Sequence, residues 1–383
     1  MQKESEVKIG IVGTGFIARG LSYSLSRDES LHLSRVLTRR KTKSVRDLAL
    51  GNGRVTNSTK ELIDNSDLVV ECSGDAVYGT KVLSEVMDAG IPVVTMNSEL
   101  QITSGSWLSK KGLITEAEGD QPGSIAALYK DVLAMGFEPL VLGNIKGFLK
   151  HNPTEDEMKH WAGINGISLE QVTSFTDGTK IQVEQTVVAN GLGAQIVQRG
   201  LIGVECTNYQ DGARILAQKA DSLGIVISDY VLSPGSPAGV FVTAKHDLEQ
   251  ASYLKYYKLG DGPYYVLTRP FHLCHLEISK TIRRVLRGEG VLLNNSENPR
   301  ISVATVAKRK LMPGEIVKRG VGSFVVRGEA VEIAENPQHV PIGLVFDVVL
   351  KRKVESGQII TFDDVEIPES QALVAWQETI KTR

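Results

Sequence analysis

The segment Gly13-Thr14-Gly15-Phe16-Ile17-Ala18 constrains this chain more than any other. It follows a β-branched run over residues 7–12 and opens a helical stretch over residues 15–26. A strand that turns through glycine into a helix leaves backbone amides unpaired at the helix tip, where they attract an anion. In the pattern G-x-G-x-x-A the first glycine takes the tight turn, the second lets a pyrophosphate approach the backbone, and the small last residue lets helix lie close on strand. In this context the motif predicts a dinucleotide site, with Gly13, Gly15, Phe16 and Ile17 at the phosphates.

The residues that follow alternate in the same way. Apolar runs at 31–37, 67–71, 92–95 and 139–143 are separated by helical patterns, among them 59–65, 78–89 and 124–135. Such alternation predicts an α/β fold with a parallel, Rossmann-type sheet over residues 1–147. The second strand ends in Leu37-Thr38-Arg39-Arg40-Lys41, with no carboxylate for ribose hydroxyls. A guanidinium pairs bidentately with a 2′-phosphate, so Thr38, Arg39 and Arg40 point to NADP(H) over NAD(H). Ligands of such sheets lie beyond the carboxyl ends of the strands. Cys72, Ser73, Gly74 and Asn97 are therefore expected along the nicotinamide side, with Cys72 as a small buried residue and not a nucleophile.

Length and charge narrow the field. A chain of 383 residues suggests two or three domains. Its 43 basic and 45 acidic residues leave a net charge of −2, which gives no reason to expect nucleic acid or an anionic membrane as partner. Three scattered cysteines lack zinc-ligand spacing, and the N-terminus lacks the layout of a signal peptide, so the cytoplasm is the expected compartment.

An α+β substrate and oligomerisation domain with an open sheet is expected over residues 148–298. Thr154 with Glu157 forms a capping-box pattern that starts a helix over 154–164. Runs at 172–175 and 180–188 flank Asp177-Gly178 and read as a hairpin. As a strand, 180–188 would place Lys180, Gln182, Glu184 and Thr186 on one polar face, a wall for substrate. Residues 299–383 read as a small, mostly β domain. Within it, Ala307-Lys308-Arg309-Lys310-Leu311-Met312-Pro313-Gly314-Glu315-Ile316 repeats as Leu350-Lys351-Arg352-Lys353-Val354-Glu355-Ser356-Gly357-Gln358-Ile359, which suggests two equivalent hairpins packed together.

Several stretches carry a family resemblance. The glycine turn, Glu71-Cys72-Ser73-Gly74 and Val93-Val94-Thr95-Met96-Asn97 resemble homoserine dehydrogenase, although that family has a catalytic lysine after the asparagine and this chain has Ser98. Glu118-Gly119-Asp120-Gln121-Pro122-Gly123-Ser124, Phe175-Thr176-Asp177-Gly178-Thr179-Lys180, Val188-Ala189-Asn190-Gly191 and Arg269-Pro270-Phe271-His272-Leu273 resemble DXR-like reductases of the same superfamily, which carry a C-terminal SAF (antifreeze-like) domain. The resemblance implies an NADPH-dependent reductase of the 1-deoxy-xylulose 5-phosphate reductoisomerase type.

Reduction of a carbonyl needs a group to stabilise or protonate the developing alkoxide. Lys146, Lys180, Glu99 and Asp120 are the catalytic candidates, and Gln121, Glu184 and Asn190 the substrate-binding ones. No metal site is assigned, though Glu99 and Asp120 are residues of the type that hold a divalent cation. His272 and His275 read as structural. The expected function is reduction of a small, polar, phosphorylated sugar-like carbonyl compound in a homo-oligomer. The alternatives are a homoserine dehydrogenase-like enzyme and a non-catalytic NADP(H) sensor.

Overall fold

The computed structural model describes residues 6–45, 47–49 and 51–381. Residues 1–5, on which the leader-free reading rests, lie outside them. The chain divides into two compact units, both discontinuous in sequence. One takes the residues up to Gly123, Leu273–Glu297 and the segment from Ser370; the other takes Ser124–His272 and Asn298–Glu369. Much of the expected substrate segment and most of the expected C-terminal β segment therefore share one unit.

The first unit is built on six strands: β1 (Val7–Val12), β2 (Leu31–Leu37), β3 (Val55–Thr56), β4 (Leu68–Glu71), β5 (Val93–Thr95) and β6 (Ile114–Glu116). All pair in parallel, in the spatial order β3-β2-β1-β4-β5-β6. That doubly wound order places the first strand at the centre and its turn where the winding reverses. Ile9, Ile11, Val69, Val70, Val93 and Val94 are fully buried, as strands covered on both faces require. The helix Gln371–Lys381, which sequence reasoning did not assign, belongs to this unit; the Trp107 indole donates to Glu378 within it at 2.5 Å.

The second unit holds a mixed sheet in the order β11-β10-β7-β9-β8. Its strands are β7 (Glu138–Lys146), β8 (Val204–Glu205), β9 (Ile227–Leu232), β10 (Val240–Lys245) and β11 (Tyr265–Arg269). The sheet is open at its edges, but β9 and β10 are buried on both faces except at their last residue. It therefore presents no exposed polar wall along its centre.

The expected hairpin around Asp177-Gly178 is instead a corner between two helices, Leu169–Thr176 and Thr179–Leu192. Ser168 caps the first: its hydroxyl accepts from Gln171 N, and the Gln171 side chain accepts from Ser168 N. Gly178 turns the corner at a φ of +86°. The second helix is buried from Ile181 through Ala189 on every side, so it shows no amphipathic period. Its valines and threonines favour strand locally, and burial between layers overrides that preference. Lys180 and Glu184 still share a face, at helical i,i+4 spacing. Gln182 and Thr186 leave it: the Gln182 amide bonds Gly200 O and Ala330 N.

The remaining strands form two small sheets: β12 (Ile301–Ala307) with β14 (Val326–Glu332), and β15 (Phe346–Leu350) between β13 (Ile316–Arg319) and β16 (Val365–Glu366). The two repeated phrases bond each other reciprocally. Leu311 N reaches Val354 O and Val354 N reaches Leu311 O; Gly314 N reaches Leu350 O and Gly357 N reaches Ala307 O. Leu350 N reaches Glu315 O and Ala307 N reaches Gln358 O. Equivalent positions thus meet about a local pseudo-twofold axis.

Lys308 of the first phrase reaches Asp177 at the helix corner, with Nζ 2.7 Å from Oδ2 and both side chains almost wholly buried. Burial pushes the carboxyl up and the ammonium down, each against the pull of its partner. Removing one member of such a pair strands the other in a medium that solvates it poorly. Lys308→Ala is expected to lower unfolding stability by about 3–5 kcal/mol. The double change Asp177→Leu with Lys308→Met should recover most of the loss in urea denaturation, and equal losses in both proteins would refute the pair's role.

Candidate active site

The site in the first unit grows from the crossing of β1 and β4. Gly13 has a φ of +113°, and a Cβ there would lie 2.7 Å from Cys72 O. Only glycine passes this point without strain. Gly15 follows in extended conformation as the N-cap of the helix Phe16–Leu25, with no side chain capping the free amides and no acidic residue in the first turn. A Cβ on Gly15 would meet nothing within 4 Å. The protein's own packing does not demand glycine here, and the helix tip is left clear for an anion. Ala18 is fully buried, whereas Phe16 is 53% exposed and stands edge-on to His275.

Thr38 closes the second strand, with its hydroxyl 3.4 Å from that of Thr14 and accepting from Arg40 N. Arg39 is held from two sides: Asp75 binds its guanidinium at 2.7 Å, and the Tyr78 ring lies 4.4 Å beneath it. Asp75 also caps the helix Ala76–Asp88 by accepting from Tyr78 N. Arg40 is exposed.

At the end of β4, Ser73 N donates to Glu71 Oε1 and the Thr95 hydroxyl donates to Oε2. Glu71 is fully buried, and burial pushes its carboxyl up to about 7 despite bonds from Ser73, Thr95 and Asn97. Burial likewise pushes the Cys72 thiol well up, which removes it as a nucleophile. Asn97 is buried and caps the short helical turn Ser98–Leu100 through Leu100 N. Where homoserine dehydrogenases have lysine, the Ser98 hydroxyl lies between two carboxyls, bonding Glu116 and standing 3.2 Å from Asp120 Oδ2. Asp120 is 7% exposed and Glu116 fully buried. Glu99 stands on the same turn, half-buried, and Gln121 N donates to Asp120 Oδ1. The glycine of Pro122-Gly123-Ser124 is needed for close approach, since a Cβ on Gly123 would overlap Ala117 O. The loop bearing Asp120 is thereby pinned to β6.

The second unit carries the lysines. Lys146 ends β7, and its Nζ lies 3.2 Å from Glu184 Oε2; Asn144, also on β7, donates its amide to the same oxygen at 2.8 Å. Glu184 is fully buried and Lys146 is 15% exposed. Lys180 stands one helical turn before Glu184. Asn190 ties the end of that helix to β12, accepting from Arg300 N and Ile301 N and donating to Ile301 O. Its amide is thus committed to main chain.

The sequence pattern set Lys146 among catalytic candidates and Glu184 with Lys180 on a substrate wall; the structure pairs Lys146 with Glu184 and adds Asn144, Ser98, Glu116 and the buried carboxyl of Glu71. The signal for Glu71 was an acidic residue closing an otherwise apolar strand; that for Asn144 was a position two residues before Lys146, on the same face. His275 packs against Gly20 and Phe16, as a structural residue would. Among the described residues, no group of three or more His, Cys, Asp or Glu side chains converges as metal ligands, and no helix is long and apolar enough to cross a membrane.

Two predictions follow from this geometry. Gly15→Asp places a good cap at the helix tip, so the melting temperature should hold or rise, while its charge should weaken dinucleotide binding at least about 100-fold in calorimetry. Undiminished binding would remove the tip from the site. Glu71 binds its proton in the folded state between about pH 4.5 and 7, where the unfolded chain has lost it, so its contribution makes stability fall as pH rises through that window. Glu71→Gln should abolish a loss of about 3 kcal/mol between those limits, measured by urea unfolding at each pH.

Residues 13–110 match the family model "Homoserine dehydrogenase, NAD binding domain", and residues 119–278 match "Oxidoreductase DRL, catalytic domain". No curated protein sequence matches the chain. Among solved structures, the chain resembles UDP-N-acetylglucosamine 3-dehydrogenase from Acidithiobacillus ferrooxidans at 13% identity, over 76% of this chain and 92% of that one, with a TM-score of 0.44. It resembles a hyperthermophilic archaeal homoserine dehydrogenase in complex with NADPH at 13% identity, over 74% and 98%, with a TM-score of 0.44. Biliverdin reductase from Synechocystis is similar at 13% identity, over 74% and 92%, with a TM-score of 0.39. No residue assignment rests on these three. A nucleotide-binding segment around the uncapped helix tip is followed by an oxidoreductase catalytic segment, and the chain is an NAD(P)-dependent oxidoreductase.

Proposed function

We propose that the protein is an NADPH-dependent reductase of a small, polar carbonyl compound, sugar-like and phosphorylated, acting as a homo-oligomer in the cytoplasm. The observation that carries the cofactor choice is Arg39, held by Asp75 at 2.7 Å and seated over Tyr78 at the end of β2. A guanidinium fixed in advance loses little freedom on meeting a 2′-phosphate, and Arg40 adds a second cation beside it. Gly13, Gly15, Phe16 and Ile17 hold the pyrophosphate, Thr38 the ribose side, and Cys72, Ser73, Gly74 and Asn97 the nicotinamide side. The bound nicotinamide supplies a hydride.

Lys146 is the group assigned to the carbonyl oxygen. Its ammonium stabilises the charge that develops there and can give it a proton. Asp120, Glu99 and Gln121 lie within the matched segments or directly beside them and are assigned to substrate hydroxyls and proton exchange, with Lys180 as the candidate for a phosphate. Glu184 acts through Lys146. Asn190 is left out, because its amide serves the main chain.

NADPH oxidation followed with a panel of phosphorylated ketoses and aldoses, with homoserine-type compounds as contrast, tests the reading. Arg39→Ala should raise KM for NADPH about 10- to 100-fold with NADH little changed, the range expected for lost charge-assisted bonds. Lys146→Ala should cut kcat at least about 100-fold on whichever compound is reduced. Equal loss with both nucleotides, or full activity of Lys146→Ala, would overturn the respective assignment.

A further inference from the structure

We infer that Asn144 is a positioning residue whose amide locks Glu184 against Lys146, and that this compensation commits Lys146 to a carbonyl oxygen instead of a phosphate. The inference rests on the role of Lys146 proposed above. Asn144 and Lys146 are two residues apart on β7 and so leave the strand on one side, toward the helix that carries Glu184. Both donate to the same oxygen, Glu184 Oε2, at 2.8 and 3.2 Å.

The arrangement is costly as a structural device. Glu184 is fully buried, and a buried ion pair seldom outperforms apolar residues of the same volume. Asn144 adds to the cost, since it is 1% exposed and its Oδ1 has no hydrogen-bond partner. Leucine would fill the same volume without an orphaned acceptor. What asparagine alone brings is a second donor on Oε2. Two donors on one oxygen fix the plane of the carboxylate, and the carboxylate fixes the direction of the ammonium.

The same geometry bears on the ligand. Glu184 is wholly buried 3.2 Å away, so its charge is not screened as that of the solvent-facing Arg39–Asp75 pair is, and Lys146 presents little net charge to a dianion. It keeps N–H groups for a neutral oxygen whose charge grows only during reaction. The hydride pair enters the carbonyl carbon, the π pair moves onto oxygen, and Lys146 gives that oxygen a proton and regains one from solvent. A phosphate of the substrate is bound elsewhere.

The test uses the full chain carrying Asn144→Leu, with the Lys146 Nζ resonance assigned by comparison with Lys146→Arg. The variant should melt within a few degrees of the wild type, because the lost donor to buried Glu184 is offset by removal of an orphaned acceptor. The titration midpoint of Lys146 should move by about half a pH unit or more. On any compound the wild type reduces, kcat should fall about tenfold or more with KM nearly constant, and the pH profile should shift with the lysine. Inorganic phosphate at millimolar concentration should leave the Lys146 resonance in place. If Asn144→Leu melts far lower, Asn144→Ser removes the amide donor with less bulk and carries the same readouts. An unmoved Lys146 titration refutes the positioning role, and a phosphate-induced shift refutes the commitment to carbonyl. Both readouts need no substrate, so they stand even where the panel yields no turnover.

Discussion

Gly13 and the carbonyl of Cys72 approach so closely that no side chain fits between them. That crossing joins β1 to the end of β4 at the point where the winding of the sheet reverses. It aims the helix tip at Phe16 outward and fixes the loop Cys72-Ser73-Gly74. Behind it, the parallel core of valines and isoleucines keeps the two strand ends level. The fold sets the constraint at Gly13 but not two residues later at Gly15, where a Cβ would meet nothing within 4 Å.

The two units carry different groups. The first has the uncapped helix tip, a clamped arginine and a set of carboxyls at the strand ends. The second has Lys146 beside the buried Glu184. Ser98 illustrates the contrast with homoserine dehydrogenases: the place of a cation is taken by a hydroxyl between Glu116 and Asp120. Lys146 lies within the segment that matches the oxidoreductase catalytic model.

The first βαβ units were legible in sequence, because strands 7–12, 31–37, 68–71 and 93–95 are apolar runs and the phosphate motif sits at the first strand-to-helix turn. The run at 139–143, expected in the same parallel sheet, instead lies in the mixed sheet, since an apolar run does not say which sheet it joins. The stretch 180–188 was not legible, because a helix buried on every side has no apolar period and its β-branched residues point to strand. Asp177-Gly178 does form a turn, yet turn chemistry alone does not say which elements it joins. The strand alternation that put Glu184 beside Lys180 is false, while the helical spacing brings the same two residues to one face. Ser98 and Glu116 escaped notice because nothing in a linear sequence announces that residues 18 positions apart will meet at adjacent strand ends.

The reciprocal bonding of the two repeated phrases makes each one a template for the other. Several amides and carbonyls of 307–316 find their partners only when 350–359 arrive, and the reverse holds equally. Neither half is a folding module. A ribosome must release the second phrase before the bonds between the two can form. Closing this motif is therefore a non-local step, made only after the strands between the two phrases have been synthesised.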